Sequence, residues 1–96
     1  MCQTLAVNGH KVIYRETVSG SFDIFLDDIP ADLKKTTGAR NIWRYANKAI
    51  NTQGAKVVVF EFEKFGSDFI NVLQKLTKND IHGYFYVTGD VKIRTF

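Results

Sequence analysis

The stretch from Lys56 to Phe62, KVVVFEF, constrains this chain more than any other part of it. In an extended segment Val58, Phe60 and Phe62 fall on one side and Val57 and Val59 on the other. A strand that is apolar on both faces belongs in the middle of a sheet. Helical patterns flank it. Residues 38 to 53, GARNIWRYANKAINTQ, set Ile42, Trp43, Ala46, Ala49 and Ile50 on one side. Arg40, Arg44 and Lys48 recur four apart on the other, with Asn41, Asn47 and Asn51 beside them. Thr36 or Thr37 is the expected cap of this helix, and Gly54 its stop. Residues 67 to 78 predict a second helix, burying Phe69, Val72, Leu73 and Leu76.

The rest of the chain reads as strands and turns. Thr4 to Val7 and Lys11 to Arg15 are strand-like runs around Asn8-Gly9, a dipeptide that favours a tight hairpin. Between Ser19 and Gly38, Phe22, Ile24 and Leu26 alternate with Asp23 and Asp27, which suits a short edge strand or an ordered loop. Pro30 interrupts whatever lies there. Gly83 to Thr88 and Val91 to Phe96 predict a closing hairpin turned by Gly89-Asp90. The expected fold is α+β, a two-layer mixed β-sheet of order ββαβαββ with helices packed on it. The strand–helix–strand step from Lys56 to Thr88 predicts a right-handed crossover between parallel strands, and both ends of the sheet are expected to be antiparallel.

Length bounds what such a chain can be: 96 residues make one domain with a single core. No apolar run approaches the roughly 18 residues of a membrane span, and no signal-peptide pattern is visible. Cys2 is the only cysteine, so no internal disulfide forms and a reducing compartment suits the chain. The net charge of +3 is unevenly placed. Up to Asp32 two cations (Lys11, Arg15) face five anions (Glu16, Asp23, Asp27, Asp28, Asp32); from Leu33 onward eleven cations face five anions. That asymmetry fits a polyanionic partner for the second part.

Three segments together, VNGHKVIYRE, GARNIWRYANKAINTQGAKVVVFEF and VTGDVKIRTF, resemble the C-terminal toxin domains of CdiA-type contact-dependent inhibition proteins. More narrowly they resemble the tRNA-nuclease branch, within the barnase–EndoU–colicin E5/D–RelE-like (BECR) superfamily. The resemblance runs from about Thr4 to Phe96, and its most specific piece is the passage from the first helix into the central strand. It implies a small metal-independent ribonuclease that cuts tRNA, needs no cofactor, is delivered into neighbouring bacteria and acts in their cytoplasm. A cognate immunity protein is the implied second partner, and a monomer is expected. The chain departs from the pattern of such relatives in its acidic positions. Thr4-Leu5-Ala6 and Ile13-Tyr14-Arg15 stand where acids are common, with Glu16 one step later. Glu16 reaches the same face only if its strand carries a bulge.

Metal-independent RNA cleavage needs a base for the ribose 2′-OH, cations for the phosphorane and an acid for the leaving oxygen. Glu16, His10 and Arg40 are the expected catalytic residues, Arg40 because it opens a helix whose dipole favours an anion. Lys11, Arg15, Thr37, Asn41, Arg44 and Lys48 are the expected RNA-binding residues. His82 is either a helix-end residue or a second acid–base candidate. Trp43, Tyr45, Tyr84 and Tyr86 either stack bases or pack in the core. The set Asp23, Asp27, Asp28 and Asp32 lacks the ligand spacing of a metal loop. Cys2 has no paired base nearby in sequence. The alternative function is a non-catalytic RNA- or protein-binding domain on the same scaffold. An immunity-type protein is a third possibility, disfavoured by the positive charge.

Overall fold

The computed structural model describes residues 2–14 and 21–96, and the side chains of the same residues other than Cys2. A six-stranded mixed sheet carries helices on both faces, so the α+β class and the helix-on-sheet packing stand. The elements are α1 (Cys2–Val7), β1 (Val12–Tyr14), β2 (Ile24–Leu26), β3 (Ile29–Thr36), α2 (Ala39–Asn51), β4 (Val57–Phe62), α3 (Ser67–Lys78), β5 (Gly83–Val87) and β6 (Arg94–Thr95). The order is therefore αβββαβαββ rather than ββαβαββ. Each strand pairs with its neighbour in sequence, giving the spatial order β1-β2-β3-β4-β5-β6. β3, β4 and β5 are parallel, and the outer pairs are antiparallel.

The valine-rich segment lies inside the sheet, as its two apolar faces require. Val58, Phe60 and Phe62 pack under α2 and α3 with Ile42, Ala46, Ala49, Phe69, Leu73 and Leu76. Val59 faces the other way, into a second cluster with Leu5, Ile24, Leu26, Ala31 and Tyr86. The sheet thus separates two environments, one under two long helices and one under the short α1.

Three differences from the sequence reading have physical causes. Thr4 to Val7 is helical, and Asn8-Gly9 ends that helix instead of turning a hairpin. Gly9 sits at φ +85° while the His10 N–H returns to the Leu5 carbonyl at 3.1 Å, a C-terminal helix cap. A cap and a hairpin both call for glycine at positive φ, so the dipeptide cannot distinguish them. The Asn8 side chain donates to the Val91 carbonyl and accepts from the Ile93 N–H, diverting that segment from the ladder. The closing strand shrinks to Arg94–Thr95 accordingly. The hairpin turn of this end is Asp27-Asp28, at φ +51° and +67°. Both residues tolerate the left-handed region, and they join β2 to β3 with Leu26 opposite Ile29.

The second difference is β3 itself, which runs through Pro30. The proline carbonyl accepts from the Lys56 N–H at 2.8 Å, just before β4 begins. The missing proline donor therefore falls at the end of the parallel ladder, where it costs little. The segment around Ile24 is consequently a strand between β1 and β3, not one at the edge.

The third concerns the start of α2. Gly38 is its N-cap and no side chain caps it. Thr36 ends β3, donating its hydroxyl to the Gly38 carbonyl and accepting from the Gly38 N–H. Thr37 is exposed. At the other end Gly54, at φ +78°, ends the turn as expected, with the Ala55 N–H on the Ala49 carbonyl at 3.0 Å.

Candidate active site

Parallel register places Lys35 beside Glu61 and Glu61 beside Tyr86, one lateral row across β3, β4 and β5. Because strand side chains alternate, this row points to the α1 side, away from Phe60 and Phe62. It lies near the carboxyl ends of the three parallel strands. The Glu61 carboxylate receives three donors. The Tyr86 hydroxyl donates at 2.6 Å to one oxygen; the Thr88 hydroxyl, at 3.0 Å, and the Lys35 ammonium, at 3.1 Å, meet the other.

Only 13% of the Glu61 side chain is exposed, against 54% for Lys35. The Tyr86 hydrogen bond, opposed by partial burial and aided by Lys35 and Thr88, holds the Glu61 pKa below its ordinary 4.5. Glu61 in turn raises the pKa of Lys35. The row therefore holds a fixed carboxylate and an exposed ammonium together at neutral pH. Chemically, such a pair can accept a proton, donate one and balance negative charge.

His10 shares this face of the sheet, farther back along β5. Its ring meets Tyr84 edge-on at 4.8 Å, and Nδ1 lies 2.7 Å from the Asp27 carboxylate. Asp27 also accepts from the Lys11 N–H at 2.8 Å, and its pKa falls below 3.8, chiefly through His10 and then Lys11. The Lys11 ammonium pairs with Asp28 at 3.4 Å. His10 and Lys11 are thus brought together by one turn, with the imidazole oriented by a carboxylate.

The other expected residues are distributed differently. Glu16 and Arg15 lie outside the described residues. Arg40, Asn41, Arg44 and Lys48 are on α2, which packs over the opposite face of the sheet from His10 and Glu61. Thr37 precedes that helix on the exposed carboxyl edge. Arg44 donates to Asn41 at 3.0 Å and lies 5.4 Å from the Tyr45 ring centroid. His82 is exposed before β5. Tyr84 and Tyr86 do share a face, but Tyr86 is buried. The four aspartates divide between two places: Asp27 and Asp28 in the hairpin turn, Asp23 and Asp32 near the start of β3. No three potential metal ligands gather among the described residues.

Sequence reasoning missed Glu61, Lys35 and Thr88. The available signal was an acid inside an otherwise apolar central strand. A glutamate at such a place needs donors from both neighbouring strands.

A second ionisable group is buried with a different outcome. Asp32 is fully buried on β3, with the Lys34 ammonium 2.7 Å away. Burial first, then a hydrogen bond with Asp23, raises its pKa to about 6 against the pull of Lys34. A carboxyl group with a raised folded pKa stabilises the fold most below its ordinary 3.8, and that contribution is lost as pH rises through about 6. Asp32→Asn is therefore expected to gain stability relative to the parent as pH rises from about 4 to 7, by on the order of 1–3 kcal/mol. Thermal melts across that range check it; a difference that stays constant with pH contradicts it.

The whole architecture has a solved counterpart. A chain of the "CdiA-CT/CdiI toxin and immunity complex from Burkholderia pseudomallei" matches it with a TM-score of 0.72 over 98% of this chain and 76% of that one. Sequence identity is 16%, so the likeness is one of fold. No protein-family model matches the chain, and no curated protein matches it by sequence. No helix among the described residues is long and apolar enough to cross a membrane.

Proposed function

We propose that the chain is a toxin-type endoribonuclease of interbacterial competition that cleaves tRNA without a metal, with the Lys35–Glu61–Tyr86 row as its reacting centre. The carrying observation is Glu61, an ionised carboxylate held by three donors at the carboxyl end of parallel strands. The shared fold with a chain from a toxin and immunity complex supports the biological setting. Glu61 takes the base role that the strand pattern offers to Glu16.

In this mechanism Glu61 accepts the proton of the ribose 2′-OH, and the 2′-oxygen attacks the adjacent phosphorus. Lys35 balances the charge of the pentacoordinate phosphate and gives a proton to the departing 5′-oxygen. The products are a 2′,3′-cyclic phosphate and a 5′-hydroxyl. Glu61 is left protonated and Lys35 neutral; proton transfer across their 3.1 Å contact restores both. Tyr86 and Thr88 hold the carboxylate in place. His10, oriented by Asp27, lies on the same face farther back along β5, beside Lys11, whose ammonium pairs with Asp28. Thr37 and Arg40 follow the carboxyl end of β3, at the start of α2. The enzyme works in the bacterial cytoplasm after delivery from a neighbouring cell, and a cognate immunity protein restrains it.

Incubation of the purified chain with total tRNA, with and without EDTA, tests the reading on a denaturing gel. Discrete fragments that persist in EDTA are expected. Intact tRNA under both conditions would overturn the nuclease assignment in favour of a non-catalytic binding domain.

A further inference from the structure

Among the described residues the cations differ in pairing. Lys11, Lys34 and Lys35, on the strands and the loop before them, each pair with a carboxylate. Arg40, Arg44 and Lys48 of α2 and Lys75 and Lys78 of α3 are all exposed, and none has an ion-pair partner among the described residues. Lys56, Lys64, Lys92 and Arg94 are exposed without an ion pair there too, but are scattered over loops and the edge strand β6. α2 and α3 lie side by side over one core, and their combined sequences hold a single acid, Asp68, in the first turn of α3. Neutral amides, Asn41, Asn47, Asn51, Asn71 and Gln74, fill the positions between the cations. The Lys75 ammonium lies 4.3 Å above the Trp43 ring, joining the two helices into one surface.

We infer that the outer face of α2 and α3 anchors the phosphate backbone of a folded RNA, on the side of the sheet opposite the Lys35–Glu61 row. Charge complementarity identifies the occupant: five exposed cations over two helices, without ion pairs among the described residues, suit a run of phosphates, and the amides between them can donate to phosphate oxygens. That this RNA is also the substrate rests on the nuclease assignment. An RNA held on both faces must pass over the carboxyl edge, past Arg40. A tetranucleotide has three internucleotide phosphates, too few to meet the helical cations and the row together.

The test uses a cleavage-deficient background, Glu61→Gln, in EDTA, with tRNA, a tetranucleotide and polyglutamate as probes. Binding is followed by fluorescence anisotropy at several salt concentrations. Adding Arg44→Gln, Lys48→Gln and Lys75→Gln is expected to weaken tRNA binding at least about tenfold. It should also lower the slope of log affinity against log salt by about 2–3, since each phosphate contact contributes roughly 0.7–0.9. All three side chains are exposed, and circular dichroism verifies that the variant keeps its fold.

An unchanged slope would remove the helical face from the RNA interface. Polyglutamate bound as tightly as tRNA, with the same loss in the triple variant, would assign the face to an acidic protein and overturn the proposal. A tetranucleotide bound as tightly as tRNA would contradict the two-sided grip. Tight binding lost in the triple variant, beside a parent chain that cuts no RNA, would keep the anchoring face and discard the nuclease assignment.

Discussion

Replacing Glu61 by glutamine is expected to lower tRNA cleavage by about 10²–10⁴-fold, the usual contribution of a positioned acid–base group. Glutamine has nearly the same shape, and its amide oxygen still accepts either from Tyr86 or from Thr88 and Lys35. Its amide nitrogen, however, then faces a hydroxyl or the Lys35 ammonium, so a stability loss of about 1 kcal/mol is expected. Loss of activity with a modest fall in melting temperature separates a chemical role from a scaffold role. Cleavage within a few fold of the parent would move the base elsewhere. The pH profile gives an independent reading. Because its surroundings hold the Glu61 pKa below 4.5, the carboxylate stays ionised and the rate keeps its base form down to that pH. The stabilising contribution of the same group is present above its ordinary value and is lost as pH falls through the depressed folded one.

The second large effect concerns the backbone at the other end of the same parallel ladder. Gly83 opens β5 opposite Val58, and a Cβ built there would sit 1.9 Å from the Val58 carbonyl oxygen. The obstructing atom belongs to the central strand and has no rotamer to escape into. Overpacking in cores commonly costs about 1–3 kcal/mol, and a clash with ladder backbone belongs at or above the top of that range. Gly83→Ala is thus expected to lose at least about 3 kcal/mol, a large share of the ~5–15 kcal/mol that holds a domain of this kind together. Urea unfolding checks this; a midpoint matching the parent would mean that β4 and β5 separate without cost.

These two positions also mark how far the sequence could be read. The central strand, both long helices and the parallel step between β4 and β5 follow from hydrophobic periodicity, because each buries a continuous apolar face. The N-terminal part was illegible for the opposite reason. α1 is only six residues long and, among its described side chains, buries only Leu5, so no period could show. Asn8-Gly9 and Asp27-Asp28 both reach positive φ, and the sequence ranks the wrong pair as the hairpin turn. Pro30 hid β3, and with β3 hidden the register that joins Lys35 to Glu61 could not be drawn. The site is a product of pairing across three strands that lie 26 and 25 residues apart at these positions. His10 was visible as a turn residue, but its orientation by Asp27 depends on the same missed hairpin. The α2 cations were legible outright, since i, i+4 spacing alone puts them on one face. Their separation from Glu61 by the thickness of the sheet was not.

The most direct measurement is the chemistry of the cut ends. tRNA is incubated in EDTA with the parent chain and with Glu61→Gln, and the fragment termini are identified by mass spectrometry. The parent is expected to give 2′,3′-cyclic phosphate and 5′-hydroxyl ends, and the variant almost none. Fragments carrying 5′-phosphates, or equal yields of cyclic phosphate from both proteins, would contradict attack by the 2′-oxygen with Glu61 as its base.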